Sequence, residues 1–220
     1  MFNKYRFGGI AVMLSFMALT GCQSKSANSG STDTAKTDAA MKTTVRDFTN
    51  ATDNQVSRDL AQRSQDIHWP KGFSPEMADL YAHNEIVIDA PASTVFRHIQ
   101  EAERWPKWYS NSQNVKLLNS SDGLLKAGTE WEWDTFGVHI HSRINEFVKA
   151  ERIGWFGDGT GMNAYHTWYL VSLSANKTRV IMEECVNGEG AKTLRKKDPA
   201  AMHRGHDLWN NTLKKLSEGK

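Results

Sequence analysis

Apolar side chains recur at helical spacing near the end of the chain. The residues on this stripe are Met202, His206, Trp209, Leu213 and Leu216. Steps of three and four put them on one face of a helix, while the remaining positions are mostly polar. Asp198 and Pro199 suit a helix start. The pattern therefore predicts a long amphipathic helix over residues 198–220.

Alternating patterns precede this helix. Val138, Ile140 and Ile144 alternate with His139 and His141, as in a strand with one buried face. Similar reasoning predicts strands over residues 85–89, 115–118, 129–134, 138–145, 152–156, 164–173 and 179–186.

Two shorter helices are predicted over residues 74–81 and 93–102, each opened by Ser or Pro start signals. This order of elements indicates an α+β fold, in which a curved antiparallel sheet wraps around the long C-terminal helix. We refer to this as the helix-grip arrangement. Such a sheet leaves a cavity between itself and the helix, and apolar ligands favour cavities of that kind.

The N-terminus has the layout of a secretory signal. Lys4 and Arg6 precede an apolar run over residues 9–18, which is too short to span a bilayer. The next four residues, Leu19-Thr20-Gly21-Cys22, resemble the lipobox of bacterial lipoproteins. The resemblance implies cleavage before Cys22, acylation of that cysteine with palmitate or a similar chain, and attachment to the membrane. The alternative is an ordinary signal peptide cleaved near Ala18.

Composition divides the rest of the chain. Residues 22–57 are rich in small polar residues and are predicted to form a disordered tether after a signal peptide over residues 1–21. The folded domain is predicted over residues 58–220. Loss of the signal peptide removes two basic and no acidic residues, so the formal net charge falls from +2 to zero. No basic cluster indicates nucleic-acid binding.

Several motifs resemble the START-like (SRPBCC) superfamily, in its polyketide cyclase/dehydrase and lipid-transport branch. They include the Glu-Ile-Val-Ile-Asp-Ala-Pro-Ala stretch at residues 85–92, the Trp-Pro-Lys-Trp-Tyr stretch at 105–109 and His-Thr-Trp at 166–168. The similarity spans about residues 67–216. It implies a deep cavity for lipids, sterols or polyketides, and it places His166, Trp168 and Glu184 at positions that recur in this branch.

Glu184 and His166 are the candidate polar residues. Glu184 shares a strand face with Met182 and is predicted to point toward the last helix, where a carboxylate needs a partner. His166 or His206 is the expected partner. Glu184 and its histidine partner either orient a ligand, or transfer a proton, or form a buried pair that only satisfies its own hydrogen bonds.

The predicted cavity is lined by residues from four strands, from the aromatic stretch at residues 105–109 and from the last helix. They are Tyr109 at the mouth, Trp133, Ile140, His166, Trp168, Met182, Glu184, Met202, His206 and Trp209.

Two other features are predicted to be structural. His139 and His141 lie on the polar face of their strand and are expected to face solvent rather than bind a metal. Cys185 has no predicted base and is expected to be a packed thiol. No metal and no cofactor is predicted.

These observations support two principal functions. The first is a lipid-anchored domain that binds or carries an apolar molecule or lipid in the bacterial cell envelope. Gln23 after the cysteine favours the outer membrane, facing the periplasm. The alternative is a cyclase or dehydratase with His166 and Glu184 as acid and base. A third possibility is a structural or protein-interacting domain, with the cavity filled by its own side chains.

Overall fold

The structure is a computed structural model that describes residues 54–220. The predicted signal peptide, Cys22 and most of the predicted tether lie outside the described residues. Within residues 54–220, every helix is too short or too polar to cross a membrane.

In the described part of the chain, seven strands form one antiparallel sheet in the order β1-β7-β6-β5-β4-β3-β2. The strands are β1 Leu80–Ile88, β2 Ser112–Leu117, β3 Glu130–Thr135, β4 Val138–Val148, β5 Arg152–Gly159, β6 Met162–Ser174 and β7 Lys177–Asn187. With the C-terminal helix against its inner face, the sheet has the predicted helix-grip arrangement.

Within residues 54–220, four α-helices accompany the sheet. They are α1 Asn54–Gln62, α2 Ala92–Gln100, α3 Glu189–Lys197 and α4 Ala201–Ser217, and a 3₁₀ helix follows α2 over Ala102–Lys107. The prediction for the last helix was right in kind but began three residues too early. Asp198 instead ends α3 and forms an ion pair with Arg204.

Two other elements differ from the prediction because of sheet pairing. Residues 74–78 form only a turn, and β1 begins at Leu80 because Leu80 already pairs with Val186 of β7. Similarly, β5 continues past its predicted end at Phe156. Gly157 and Gly159 still pair with β6, opposite Ala164 and Met162.

The folded domain starts before the predicted boundary at residue 58. Val56 of α1 is fully buried. The Asp59 carboxylate lies 3.0 Å from Nδ1 of His203 on α4. The domain boundary predicted from composition lies too late in the chain, because α1 is mostly polar and buries only a few side chains.

Tryptophans fill much of the space between the sheet and α4. Six of them, Trp105, Trp131, Trp133, Trp155, Trp168 and Trp209, belong to one buried cluster. Their rings meet mostly edge to face, a favourable geometry for aromatic pairs.

The opposite face of the sheet has its own cover. Trp69 lies against Tyr81 and Tyr165, and Phe73 lies against Tyr165, with ring centroids 5.9–6.3 Å apart. The backbone N–H of Ser64 donates to Glu183 on β7. Residues 63–73 thus cover the face that α4 does not reach.

Candidate functional site

Glu184 is the centre of a buried polar cluster. It lies directly opposite His166 in the pairing of β7 with β6. Its Oε2 atom is 3.0 Å from Nε2 of His206 on α4 and 3.5 Å from Nδ1 of His166. The predicted orientation toward the helix and both candidate partners are therefore found in the structure.

Asn84 on β1 fixes the tautomer of His206. Its side-chain N–H₂ donates to the carbonyl of His203 and to Asp207, at 3.1 and 2.9 Å. Its oxygen consequently faces Nδ1 of His206, at 3.2 Å, and Nδ1 must be the donor. The contact between Nε2 and Glu184 then contains one shared proton, whichever of the two groups carries it.

The pKa of Glu184 is governed by its hydrogen bonds, whereas the pKa of His166 is governed by burial. Burial alone would raise the pKa of Glu184, but hydrogen bonds from His166 and His206 outweigh it and lower the pKa to about 2. Burial lowers the pKa of His166, and Glu184 only partly offsets this. The arrangement thus favours a neutral His166 beside an ionised carboxylate.

His166 is held by aromatic packing. Its ring stacks on Trp155, with centroids 4.5 Å apart and an interplanar angle of 17°. Its Nε2 atom is buried without a hydrogen-bond partner among the described residues. A buried imidazole nitrogen without a partner is uncommon and suggests a role beyond packing.

An apolar cleft of about 290 Å³ opens beside Glu184. Its walls are formed by strands β3 to β7, by Leu80 at the start of β1, by helix α3 and by the start of α4. Its apolar lining includes Trp133, Val138, Ile140, Met162, Val186, Leu194 and Met202. Of the described lining residues, only Glu184 and Lys197 carry a charge.

The predicted cavity residues fall into three groups. Those that line the cleft are Trp133, Ile140, Glu184 and Met202. His166 and His206 contact Glu184 but do not line the cleft. Tyr109, Trp168, Met182 and Trp209 are packed in the core.

Tyr109 was placed at the mouth of the cavity but is fully buried. Its ring stacks on Trp209, with centroids 4.4 Å apart and planes within 7°. The physical reason is the volume of the tryptophans, which fill the inner end of the predicted cavity and leave space only beside α3 and the start of α4.

Phe136 lies at the rim of the cleft, between two of the predicted strands. Phe136 and Gly137 form the two-residue turn between β3 and β4, both with positive φ, 51° and 74°, as in a type I′ hairpin. Positive φ is unfavourable for a bulky residue. The Phe136 ring lies against Gly205 of α4. A Cβ added to that glycine would be only 2.3 Å from the ring.

Two further parts of the site lie in segments whose sequence has little periodic apolar pattern. Helix α3, which supplies Ala191 and Leu194 to the cleft, was not predicted, since seven of its nine residues are polar or glycine. Asn84 was also missed. Its polar side chain beside the aromatic and apolar start of β1 was the only available signal.

The structure also shows the surroundings of the two histidines on β4 and of Cys185. His139 and His141 point outward, with side chains 63% and 42% exposed, and contact Asp134 and Glu130. Cys185 is fully buried, and burial raises the pKa of its thiol. A thiol in that state is a poor nucleophile.

Comparisons with known proteins agree with this architecture. A family model described as polyketide cyclase / dehydrase and lipid transport matches residues 81–206. A hypothetical protein from Helicobacter pylori has 30% sequence identity and a TM-score of 0.65, with 70% of this chain and 98% of that chain covered. Comparison with the curated proteins gives no match.

Two more distant structures share the fold. A START superfamily protein from Mycobacterium smegmatis has 14% identity and a TM-score of 0.51, covering 63% of this chain and 97% of that chain. The Zhui aromatase/cyclase from a Streptomyces species has the same identity and TM-score, covering 63% and 93%. With the family model spanning more than half of its length, this chain belongs to the polyketide cyclase/dehydrase and lipid-transport family, and it has the START-like fold.

Proposed function

We propose that this protein binds an apolar small molecule or lipid in the cleft, with a polar group of the ligand next to Glu184. The observation that carries the proposal is the contrast within the lining, where apolar side chains surround one carboxylate. Ligand sites commonly combine an apolar wall with a few polar groups that fix orientation.

The contacts of Glu184 leave room for a ligand donor. Both histidines approach Oε2, so Oε1 is the oxygen available to a hydroxyl or amide of the ligand. The Glu184 side chain is 17% exposed. A hydrogen bond to a charged group contributes about 1.5–3 kcal/mol.

The size of the cleft limits the ligand. Its volume of about 290 Å³ lies near the lower end of the usual range for ligand pockets, about 300–1,000 Å³. A two-ring aromatic molecule or a short acyl chain suits this space better than a whole phospholipid. A longer ligand would project past Phe136 into solvent.

A matched pair of variants tests the cleft as the binding site. 2-Naphthol, a fluorescent apolar molecule with one hydroxyl, is a suitable probe. Val138→Asp puts a charge into the cleft lining and should weaken 2-naphthol binding at least tenfold. Val148→Asp makes the same change on the same strand, at a position 43% exposed, and should leave affinity unchanged. Equal affinities for the two variants would place the ligand elsewhere.

We also propose that Cys22 anchors the protein to a membrane of the cell envelope, and that this is the outer membrane, facing the periplasm. The support is the order of basic, apolar and lipobox-like residues before Cys22. A carrier needs access to the membrane from which it collects its ligand. Labelled palmitate should be incorporated into the wild-type chain and not into Cys22→Ala, and only the wild type should sediment with outer membranes. An unmodified N-terminus elsewhere would contradict the anchor.

The second candidate function is acid–base catalysis by His166 and Glu184 on a bound substrate, as in a cyclase or dehydratase. The observation that favours it is the 3.0 Å contact between His206 Nε2 and Glu184 Oε2 at the edge of the cleft, a distance across which a proton can be transferred. The fold neighbour that is named as an aromatase/cyclase supports it only by analogy.

Extraction of the ligand from protein purified out of its native envelope distinguishes the two functions. The extracted compound is returned to fresh protein and followed by mass spectrometry. A carrier returns it unchanged. Conversion to a dehydrated product by the wild type, and not by Glu184→Gln, would establish the enzyme.

A further inference from the structure

Three side chains at the edge of the cleft have the composition of a metal site. His166, Glu184 and His206 come from β6, β7 and α4, and each offers a ligand atom within 4.8 Å of the others. We propose that they bind one divalent transition-metal ion of the Zn²⁺ or Fe²⁺ class. Two imidazoles and one carboxylate are a ligand set used for both ions.

The two separations between Glu184 and the histidines fit coordination about as well as hydrogen bonding. His166 Nδ1 is 3.5 Å from Glu184 Oε2, at the long limit for a hydrogen bond. Two ligand atoms of a tetrahedral ion with bonds of 2.0–2.1 Å are roughly 3.3–3.4 Å apart. The 3.0 Å contact between Glu184 and His206 would widen by a few tenths of an ångström, as the metal replaced their shared proton.

Asn84 supplies a contact that metal-binding histidines usually have. A ligating imidazole typically donates its second N–H to a nearby oxygen, which orients the ring. Nδ1 of His206 donates to the oxygen of Asn84, and Nε2 is thereby directed at Glu184. Asn84 is a positioning residue in this proposal, since it acts through His206.

The surroundings of the cluster favour a reactive rather than a purely structural ion. His166 and His206 are 4% and 1% exposed, while Glu184 lines the cleft. Three protein ligands leave at least one coordination position, as catalytic zinc sites do. An oxygen of a cleft-bound molecule is the chemistry that this position would take. The metal site itself does not depend on which apolar molecule binds.

Zinc binding to the untagged full-length chain tests the proposal. The protein is purified in detergent, stripped with a chelator and titrated with Zn²⁺ in a calorimeter. One ion per chain with a dissociation constant of micromolar or below is expected. His166→Gln and His206→Gln should each weaken binding at least 100-fold, and Asn84→Ala about 10–100-fold. His139→Gln, a surface histidine, is the matched control and should bind like the wild type.

Cobalt provides a second readout that does not rely on variants. Co²⁺ in the wild-type chain should show the visible absorption of a nitrogen- and oxygen-ligated ion, lost on addition of Zn²⁺. This keeps the test decisive if a histidine variant fails to fold. Absence of stoichiometric Zn²⁺ binding, or equal binding by His166→Gln and His139→Gln, would overturn the site. Binding of 2-naphthol is measured on metal-free protein, so the proposed apolar ligand stands or falls separately.

Discussion

Glu183 and Glu184 are adjacent on β7 but point to opposite faces of the sheet. Glu183 is fully buried, and its Oε1 atom accepts from the Ser64 backbone and lies 2.7 Å from Nδ1 of His83. Glu184 also contacts histidines, yet its side chain is 17% exposed and lines the cleft.

The difference lies in what covers each carboxylate. Residues 63–73 close over Glu183, so any ligand would have to displace part of the fold. Helix α4 reaches Glu184 only through His206, and the cleft remains open beside it. Burial and a histidine partner are therefore shared by both sites, and access is what separates a structural carboxylate from a candidate functional one.

The largest expected loss of stability comes from removing the charge of Glu183. Glu183→Gln leaves His83 without its anionic partner in a buried position, and should lower the free energy of unfolding by about 3 kcal/mol. Glu184→Gln also leaves two buried histidines without their anionic partner, but water in the cleft can reach the amide that replaces the 17% exposed carboxylate, so the cost should be smaller, about 1 kcal/mol. Urea denaturation of the two variants measures this directly. Equal losses would remove the distinction between the sites.

A truncation tests the contribution of α1, which directly precedes the residues that cover Glu183. A chain starting at Asp59 lacks Val56 and most of α1, whereas a chain starting at Asn54 retains both. Burial of one valine side chain is worth about 1.5–3 kcal/mol, so the shorter chain should be less stable by about 2 kcal/mol. Identical denaturation curves would show that α1 contributes nothing to the fold.

A substitution at Gly205 tests the contact between α4 and Phe136 at the rim of the cleft. Alanine inside a helix is normally more stable than glycine by about 0.5–1 kcal/mol. Here the added methyl group would meet the Phe136 ring, so Gly205→Ala should instead destabilise the protein by about 1 kcal/mol and weaken 2-naphthol binding severalfold.

The double variant is the control for this contact. In the Phe136→Ala background the ring is absent, and Gly205→Ala should become stabilising, as in an ordinary helix. The same sign in both backgrounds would mean that Phe136 does not rest on α4.

The smallest expected effect is the pH dependence of the link between α1 and α4. Burial alone would lower the pKa of His203, but Asp59 and Asp207 outweigh it and raise the pKa. The stabilisation from a raised histidine pKa is fully present below the unfolded pKa of about 6.5 and is lost as pH rises through the folded pKa. The stability difference between wild type and His203→Gln should therefore shrink from pH 5.5 to 8.5. A difference that grows with pH would contradict this ion pair.

The sheet side of the site was predictable from local patterns. Period two along β7 put Glu184 and Met182 on the inner face, and the helical stripe put His206 on the facing helix, so their meeting followed from the fold class. The buried environment of Glu183 was not predicted, because residues 63–73, which cover it, have no periodic pattern of apolar side chains.

The shape of the cleft could not be predicted for a different reason. Whether Trp168 and Trp209 line a cavity or fill it depends on how large side chains from five separate elements share one volume. Alternation identifies the face of a side chain but not the space that remains beyond it. Asn84 likewise has meaning only once β1 lies beside α4.

Discrimination between 2-naphthol and naphthalene tests the central claim that Glu184 acts on the ligand while Glu183 maintains the fold. The two probes differ by one hydroxyl, and a charge-assisted hydrogen bond predicts that the wild type prefers 2-naphthol by about 10–100-fold. Under conditions where all proteins are folded, Glu183→Gln should retain this preference, and Glu184→Gln should reduce it to less than about threefold. An undiminished preference in Glu184→Gln, or its loss in Glu183→Gln, would contradict the account.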